Sequence, residues 1–371
     1  MKPSLLTEAH HALALEARAA FEKMEPGAPI DDPTLACKVA GLGYYPYLVP
    51  AQFGGKLPNV DVRSLCVLRE ELAYRNAAAD SVFAVQGLGS HPVLLAGSAE
   101  QKALLLPKVA DGSALFAFAL TEPEAGSDVA AISTTARQEG TGWVLDGRKR
   151  FISNAGVATH YTVFARTGEG PRGLSAFLVP AKAPGFSFTK MELLGDHPIG
   201  ELAFSGCRVG PEACVGEPGA GMKLALSTLD VFRSTVGAAA VGMARRALDE
   251  AIGYAKSRRQ FGAPLCELPA VQALLADSAV ELEASRLLVH LAAATKDGGQ
   301  ARVTYEAAVG KLFATEAAQR IVDRCLQIHG GNGVVKGAPI ERLYRDVRAL
   351  RIYEGASEVQ RLVIARHLLQ G

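Results

Sequence analysis

Apolar positions recur with a helical period at both ends of the chain and alternate in its middle. Up to about residue 114 the spacing is helical. Thr7 caps a helix running through Phe21, and the stretch 62–74 places Leu65, Leu68 and Leu72 on one face. A stretch rich in proline and glycine, 44–58, separates these helices. From about 115 to 216 the period shortens. Trp143-Val144-Leu145 runs into Asp146-Gly147, which predicts a hairpin, and 161–166, 174–179 and 186–191 predict strands divided by Gly or Pro. Beyond 217 the helical period returns. Val241, Ala244, Leu248 and Ile252 share one face, and Leu275, Ala279, Leu282 and Val289 share another. Asp297-Gly298-Gly299 interrupts this run, and helices resume from Val303. The expected fold class is α+β: an N-terminal α-helical domain (1–114), a middle antiparallel β domain (115–216) and a C-terminal four-helix bundle (217–371).

A length of 371 residues exceeds one ordinary core and agrees with several domains. Lys and Arg total 39 against 38 Asp and Glu, so no net field favours nucleic acid or an anionic membrane, and neither is expected as a partner. The six cysteines are scattered with no CxxC, which predicts reduced thiols and no metal site. Acids and histidines stand near the N-terminus where a secretory signal needs an apolar run, so a cytoplasmic location is expected. The longest uncharged stretch, 81–99, contains Gly87, Gly89, His91 and Pro92 and predicts buried helix and loop, not a membrane span.

Against this background five segments carry candidate chemistry. Leu350-Arg351-Ile352-Tyr353-Glu354-Gly355-Ala356-Ser357 sets a carboxylate between a tyrosine and a glycine on a largely apolar segment. A carboxylate that loses hydration has its pKa raised toward neutrality, which suits a general base; a solvated glutamate is the alternative. The loop Thr121–Ser127, followed by Asp128, offers hydroxyls and a glycine either to a polar ligand edge or as a capped surface turn. Phe151-Ile152-Ser153-Asn154 sets an aromatic beside a hydroxyl, fit for a flat ligand with a polar rim or for a strand end packed in the core. Arg258-Arg259-Gln260-Phe261-Gly262 offers either a bidentate phosphate contact or a basic helix end complementing the dipole. Gln327-Ile328-His329-Gly330-Gly331-Asn332-Gly333 clusters N–H donors, suited to phosphate or to a helix C-cap. His329 is read as structural, because no second ligand stands at metal spacing.

Ala119-Leu120-Thr121-Glu122-Pro123-Glu124-Ala125-Gly126-Ser127-Asp128 and 350–357, in this order and separation, resemble the acyl-CoA dehydrogenase family, and the resemblance runs over nearly the whole chain. It implies FAD-dependent α,β-dehydrogenation of an acyl-CoA thioester to the 2-enoyl-CoA, with Glu354 taking the α-proton and flavin N5 the β-hydride. The flavin would be lined by Phe118, Leu120, Thr121, Gly126 and Ser127, then by Phe151 and Ser153. Arg258, Gln260 and Phe261, with Gln327, Gly330 and Gly331, would reach the FAD of a neighbouring subunit, and Ala356 and Glu358 complete the cofactor set. Ser127, Asp230, Phe232, Arg233, Tyr353 and Gly355 would meet the substrate. The resemblance further implies an electron-transfer flavoprotein as electron acceptor and a homotetramer. Phe151 and Ser153 stand where many members carry Trp and Thr, Glu124 where many carry Gly, and Pro269 where a Gln is usual. Gly337-Ala338 replaces an acidic–aromatic pair, and the loop 194–201 is shortened. Some members place the base at the site of Phe232, which takes no proton, so the role falls to Glu354 alone. The short loop and Phe232 imply a short or branched acyl group. An oxidase-like relative, one acting on a carrier-protein thioester, and a flavin-binding relative without dehydrogenation are the alternatives.

Overall fold

The computed structural model describes residues 5–24, 31–170 and 173–370. Five helices come first: α1 (Glu8–Phe21), α2 (Asp32–Gly41), α3 (Val62–Arg75), α4 (Ala77–Ala96) and α5 (Ala99–Ala110). Eight strands follow: β1 (Phe116–Ala119), β2 (Thr135–Glu139), β3 (Gly142–Ser153), β4 (His160–Arg166), β5 (Leu174–Pro180), β6 (Phe186–Lys190), β7 (Ile199–Val209) and β8 (Cys214–Val215). Then come α6 (Gly221–Ser257), a ribbon of β9 (Arg259–Gln260) and β10 (Ala263–Pro264), α7 (Pro269–Asp297), α8 (Thr304–His329), α9 (Pro339–Val347) and α10 (Ser357–Gln370). The helix–strand–helix order is the one the periodicity predicts.

The chain forms two compact units, each drawn from separated stretches: Met1–Pro29, Val62–Asp80 and Asp230–Gly371 in one, Ile30–Asp61 and Ser81–Leu229 in the other. The second holds the sheet, in the order β6-β7-β3-β2-β4-β5-β8 with β1 beside β4. Pairing is antiparallel except where β4 meets β1 and β2. Alternation along these strands turns Leu145, Ile152, Tyr161, Val163, Phe177, Leu202 and Phe204 into one core. Asp146-Gly147 is not the hairpin its sequence predicts. The tight turn is Gly140-Thr141, and β3 runs on through 146–147 with a register shift against β7. Gly147, at φ 145°, is required because a Cβ there would press on Thr134, while Asp146 accepts a hydrogen bond from the Gly206 N–H at 2.7 Å.

In the helical unit the buried stripes follow the predicted period with one shift. On α6, Val241, Ala244 and Leu248 are buried; on α7, Leu282 and Val289 are, but Ala279 is exposed and Ser278 takes its place inside. α6 is the one helix among the described residues long and apolar enough to cross a membrane, and 83% of its apolar window is buried within the protein. Charges also enter this interior. Glu70 and Glu71 on α3 accept from Arg245 of α6 at 2.9 and 2.6 Å; Arg18 of α1 binds Glu71, and Arg286 of α7 binds Glu70. α3 and α6 pack so closely that a Cβ on Gly242 would overlap the Glu70 carbonyl. Gly242→Ala is therefore expected to cost about 1–3 kcal/mol through forced overpacking. The check is a lower urea midpoint at unchanged slope; an unchanged midpoint would refute the contact.

Candidate active site

Glu354 lies in the short link between a 3-10 turn, Arg348–Arg351, and α10. It is one of four non-glycine residues at positive φ (51°) among the described residues, and Gly355 follows at 97°. Left-handed backbone at a glutamate stores about 1 kcal/mol or more, so the surroundings must over-determine it. They do so from several helices. The Glu354 carbonyl accepts from Arg233 Nε of α6 at 3.3 Å. The Gly355 carbonyl accepts from Lys311 Nζ of α8 at 2.7 Å and from Gln360 Nε2 of α10 at 3.0 Å. Glu316 of α8 accepts from Arg351 Nε at 2.9 Å and Ser357 Oγ at 2.6 Å, gripping both ends of the turn.

Although the residue is only half-buried, its Oε2 is enclosed with no hydrogen-bond partner. Burial pushes the carboxyl above its ordinary range, against the opposing charges of Arg69, Lys311 and Arg233. Arg69, 2% exposed, is held bidentately by Asp80 (2.9 and 2.7 Å) and donates to Thr235 Oγ1 at 2.9 Å. Tyr353 lies beside Arg69, and burial raises its phenol above the usual value. Asp230 and Arg233 stand inside α6, more than two turns from its start. Asp230 accepts from Arg233 at 3.4 Å and from Thr304 Oγ1 at 2.8 Å, so it acts on Arg233. Phe232 is buried, 3% exposed. A raised, enclosed carboxylate ringed by cations is chemically suited to accept a proton from carbon.

A second group in this unit surrounds the ends of α6 and α8. Phe261 and Gly262 (φ 54° and 83°) form a two-residue turn between β9 and β10, which leaves the Phe261 ring 94% exposed. Arg258 and Gln260 flank it in sequence and are exposed, as are Gln327, Gly330 and Gly331 at the end of α8. Tyr254 ties the two helix ends together, stacking on His329 at 4.5 Å and accepting from Asn332 Nδ2 at 2.9 Å. His329 is thus engaged as a structural ring, and no group of metal-binding side chains occurs among the described residues.

The sheet unit carries the remaining candidates. Phe151 takes φ 58° near the end of β3 and stays half exposed, with the Arg150 guanidinium 5.2 Å from its ring centre. Its neighbour Ser153 shares a hydrogen bond of 3.1 Å with His197, whose burial pushes the imidazole pKa down to about 4 and so leaves it neutral near pH 7. Leu120–Gly126 is rigidly anchored. Glu122 and Ala125 exchange backbone hydrogen bonds, and the Arg150 N–H donates to the Thr121 carbonyl at 2.8 Å. Below them Lys149, fully buried, donates to the Leu120 carbonyl at 3.0 Å and to Glu122 at 2.8 Å. The same carboxylate accepts from Ser133 and Thr134. Gly126 and Ser127 are exposed on the anchored loop, Leu120 is buried, and Phe118 packs against Phe164 in a tilted pair with ring centres 4.9 Å apart. A strained, half-exposed aromatic beside hydroxyls on a stiff loop fits an aromatic heterocycle with a polar rim.

Sequence reasoning missed Arg69, Asp80, Lys311, Glu316 and Lys149. For Lys311 a signal exists, since it shares a helical face with the buried Ala307, Ala314 and Ala318. Asp80 and Arg69 are separated by a helix boundary, and their pairing leaves no trace in either period.

The acyl-CoA dehydrogenase N-terminal domain matches residues 7–113, the middle domain 117–207 and the C-terminal domain 219–369. The chain belongs to the acyl-CoA dehydrogenase family. It is an oxidoreductase of that family, whose members are FAD flavoproteins, and its cofactor is FAD. It is 39% identical over 378 positions to a probable acyl-CoA dehydrogenase, fadE25, of Mycobacterium leprae, covering 98% of this chain and 96% of that protein. With the human mitochondrial short-chain specific acyl-CoA dehydrogenase it shares 43% over 339 residues, 90% of this chain and 82% of the relative. The solved butyryl-CoA dehydrogenase of Megasphaera elsdenii superposes with a TM-score of 0.93 at 34% identity, over 98% of this chain and 99% of that one.

The Glu122–Lys149 pair makes an acid-stability prediction. Burial alone would raise Glu122, but the Lys149 charge and the Thr134 and Ser133 hydrogen bonds overcome it and hold the carboxyl down to about 2. A depressed folded-state pKa stabilises above the unfolded value near 4.5 and is lost as pH falls toward 2. Glu122→Gln strands the buried ammonium and is expected to cost about 3 kcal/mol near neutrality. Melting curves at several pH values should show the gap closing between pH 4.5 and 2; a gap independent of pH would refute the pairing.

Proposed function

We propose that the protein removes hydrogen across the Cα–Cβ bond of an acyl-CoA thioester to give the 2-enoyl-CoA, with Glu354 taking the α-proton. The observation that carries this reading is the enclosed, unpartnered Oε2 of Glu354, held in left-handed backbone among Arg69, Lys311 and Arg233. An unpaired buried acceptor has nothing to lose by gaining a proton, and its raised pKa narrows the gap to a weakly acidic Cα–H. Bound FAD supplies the acceptor for the hydride that leaves Cβ. Phe151, Ser153 and the Thr121–Ser127 loop are proposed to hold the flavin ring, and Arg258, Phe261 and the 327–331 turn the FAD of an adjacent subunit. Arg233, fixed by Asp230, is proposed to face the substrate beside Tyr353 and Gly355.

The exposed Phe261 and the apolar Val280, Leu287 and Leu291 on the outer side of α7 support burial against further copies of the chain in a homotetramer. The proposed electron acceptor is an electron-transfer flavoprotein, and the proposed location is the cytoplasm. The acyl group is proposed to be short or branched. Buried Phe232 and the names of the short-chain and butyryl-CoA relatives support this. In anaerobic mixing, butyryl- or isobutyryl-CoA should bleach the flavin faster than palmitoyl-CoA; the reverse order would exclude the chain-length assignment.

Glu354→Gln tests the base. The amide keeps the size and loses the proton acceptor, so FAD content and acyl-CoA binding should persist while flavin reduction slows by about 10²–10⁴-fold or more. Glu124→Gln, on the exposed loop, should stay within a few-fold of wild type. Near-normal reduction by Glu354→Gln would sink the assignment.

A further inference from the structure

We propose that Lys311 is the positioning residue for Glu354, mooring the turn that carries the base and supplying the charge that keeps the base ionised. This rests on the reading of Glu354 as the proton acceptor. Lys311 is fully buried on α8, and its Nζ donates to the Gly355 carbonyl at 2.7 Å. Burying an ammonium is costly without compensation, and anchoring this carbonyl does not need one. Gln360, a neutral donor, already bonds the same oxygen at 3.0 Å. The charge therefore has another target.

The groups around Glu354 identify it. From α3 comes Arg69, but Asp80 of α4 neutralises it bidentately. From α6 comes Arg233, shared with Asp230. Glu316 of α8 is committed to Arg351 and Ser357, Glu358 of α10 is exposed, and Tyr353 is an uncharged phenol. Among the described residues no carboxylate forms an ion pair with Lys311. Its charge is the one left uncompensated beside the base. Burial lowers the ammonium to about 8 while Glu354 opposes that fall, so it is still protonated at neutral pH. An unshielded cation near an enclosed carboxylate favours the ionised form, the only form able to take a proton.

The experiment compares FAD-loaded Lys311→Met, Lys311→Gln and Lys311→Arg with wild type. Methionine leaves Gln360 to hold the turn, and glutamine keeps a neutral donor. The Glu354 titration is read without turnover as the carboxyl infrared band that Glu354→Gln abolishes. It is read independently as the acid limb of kcat/KM. In the Met and Gln variants both should move to higher pH by about one unit or more. Below the limb kcat/KM should fall about tenfold, and it should recover toward wild type above it. Lys311→Arg, which restores the charge, should bring the limb back toward wild type. A band titrating at the wild-type pH in folded Lys311→Met or Lys311→Gln overturns the proposal, as does failure of both to fold, which would make Lys311 a structural strut. Unimpaired turnover by Glu354→Gln would overturn the base assignment itself. An unmoved titration with Glu354→Gln inactive would overturn the role of Lys311 alone.

Discussion

Removing a carboxylate from water in the company of buried cations is the constraint around which the helical unit is organised. Desolvation drives Glu354 toward the neutral acid, and three cations from three helices oppose it. Each cation must itself be stabilised in the interior. Asp80 grips Arg69, Asp230 and Thr304 fix Arg233, and the Gly355 carbonyl receives Lys311. Further acids thus compensate two of the three cations, Arg69 and Arg233, while Lys311 is held by a backbone oxygen. Exchanging such buried charges for apolar groups is often neutral or stabilising in proteins at large, so their presence here points to the site and not to the strength of the fold.

Backbone strain marks the same places. Of the four non-glycine residues at positive φ among the described residues, Phe151, Phe261 and Glu354 are all candidates from sequence, and the fourth, Asn154, follows Phe151 closely. Each has a local reason. Phe261 sits in a two-residue ribbon turn that requires left-handed backbone. Glu354 is pinned through its own carbonyl and that of Gly355. Two aromatic rings and one carboxylate are thereby presented where an ordinary strand or helix would have turned them elsewhere. In the sheet unit, the Lys149–Glu122 pair does for the 120–126 loop what the α8 side chains do for the 354 turn, fixing the backbone from beneath through a buried ion pair.

Much of this was legible in the sequence. Period alone separated helical ends from an alternating middle, because a side chain's exposure is set locally by helix or strand geometry. Glu354 stood out through the resemblance that 350–357 and the upstream 119–128 segment carry together; by itself an acid beside a glycine reads equally as a solvated one. Asp146-Gly147 misled for a physical reason. The dipeptide suits a turn, but the glycine is there because Thr134 leaves no room for a Cβ, and that crowding comes from another strand. Ala279 and Ser278 exchanged places because a helix of 29 residues drifts from any fixed face as its partners change along its length.

What the sequence by itself determined was the order of elements and the segments that set Glu354, two aromatic rings and a run of hydroxyls and glycines apart from ordinary helix and strand. Only tertiary structure decided what surrounds Glu354. Arg69, Asp80, Arg233 and Lys311 lie up to hundreds of residues from Glu354, on helices whose own patterns merely ask for burial. A charge on a buried face is an anomaly in one dimension, and only in three does it meet the opposite charge that explains it.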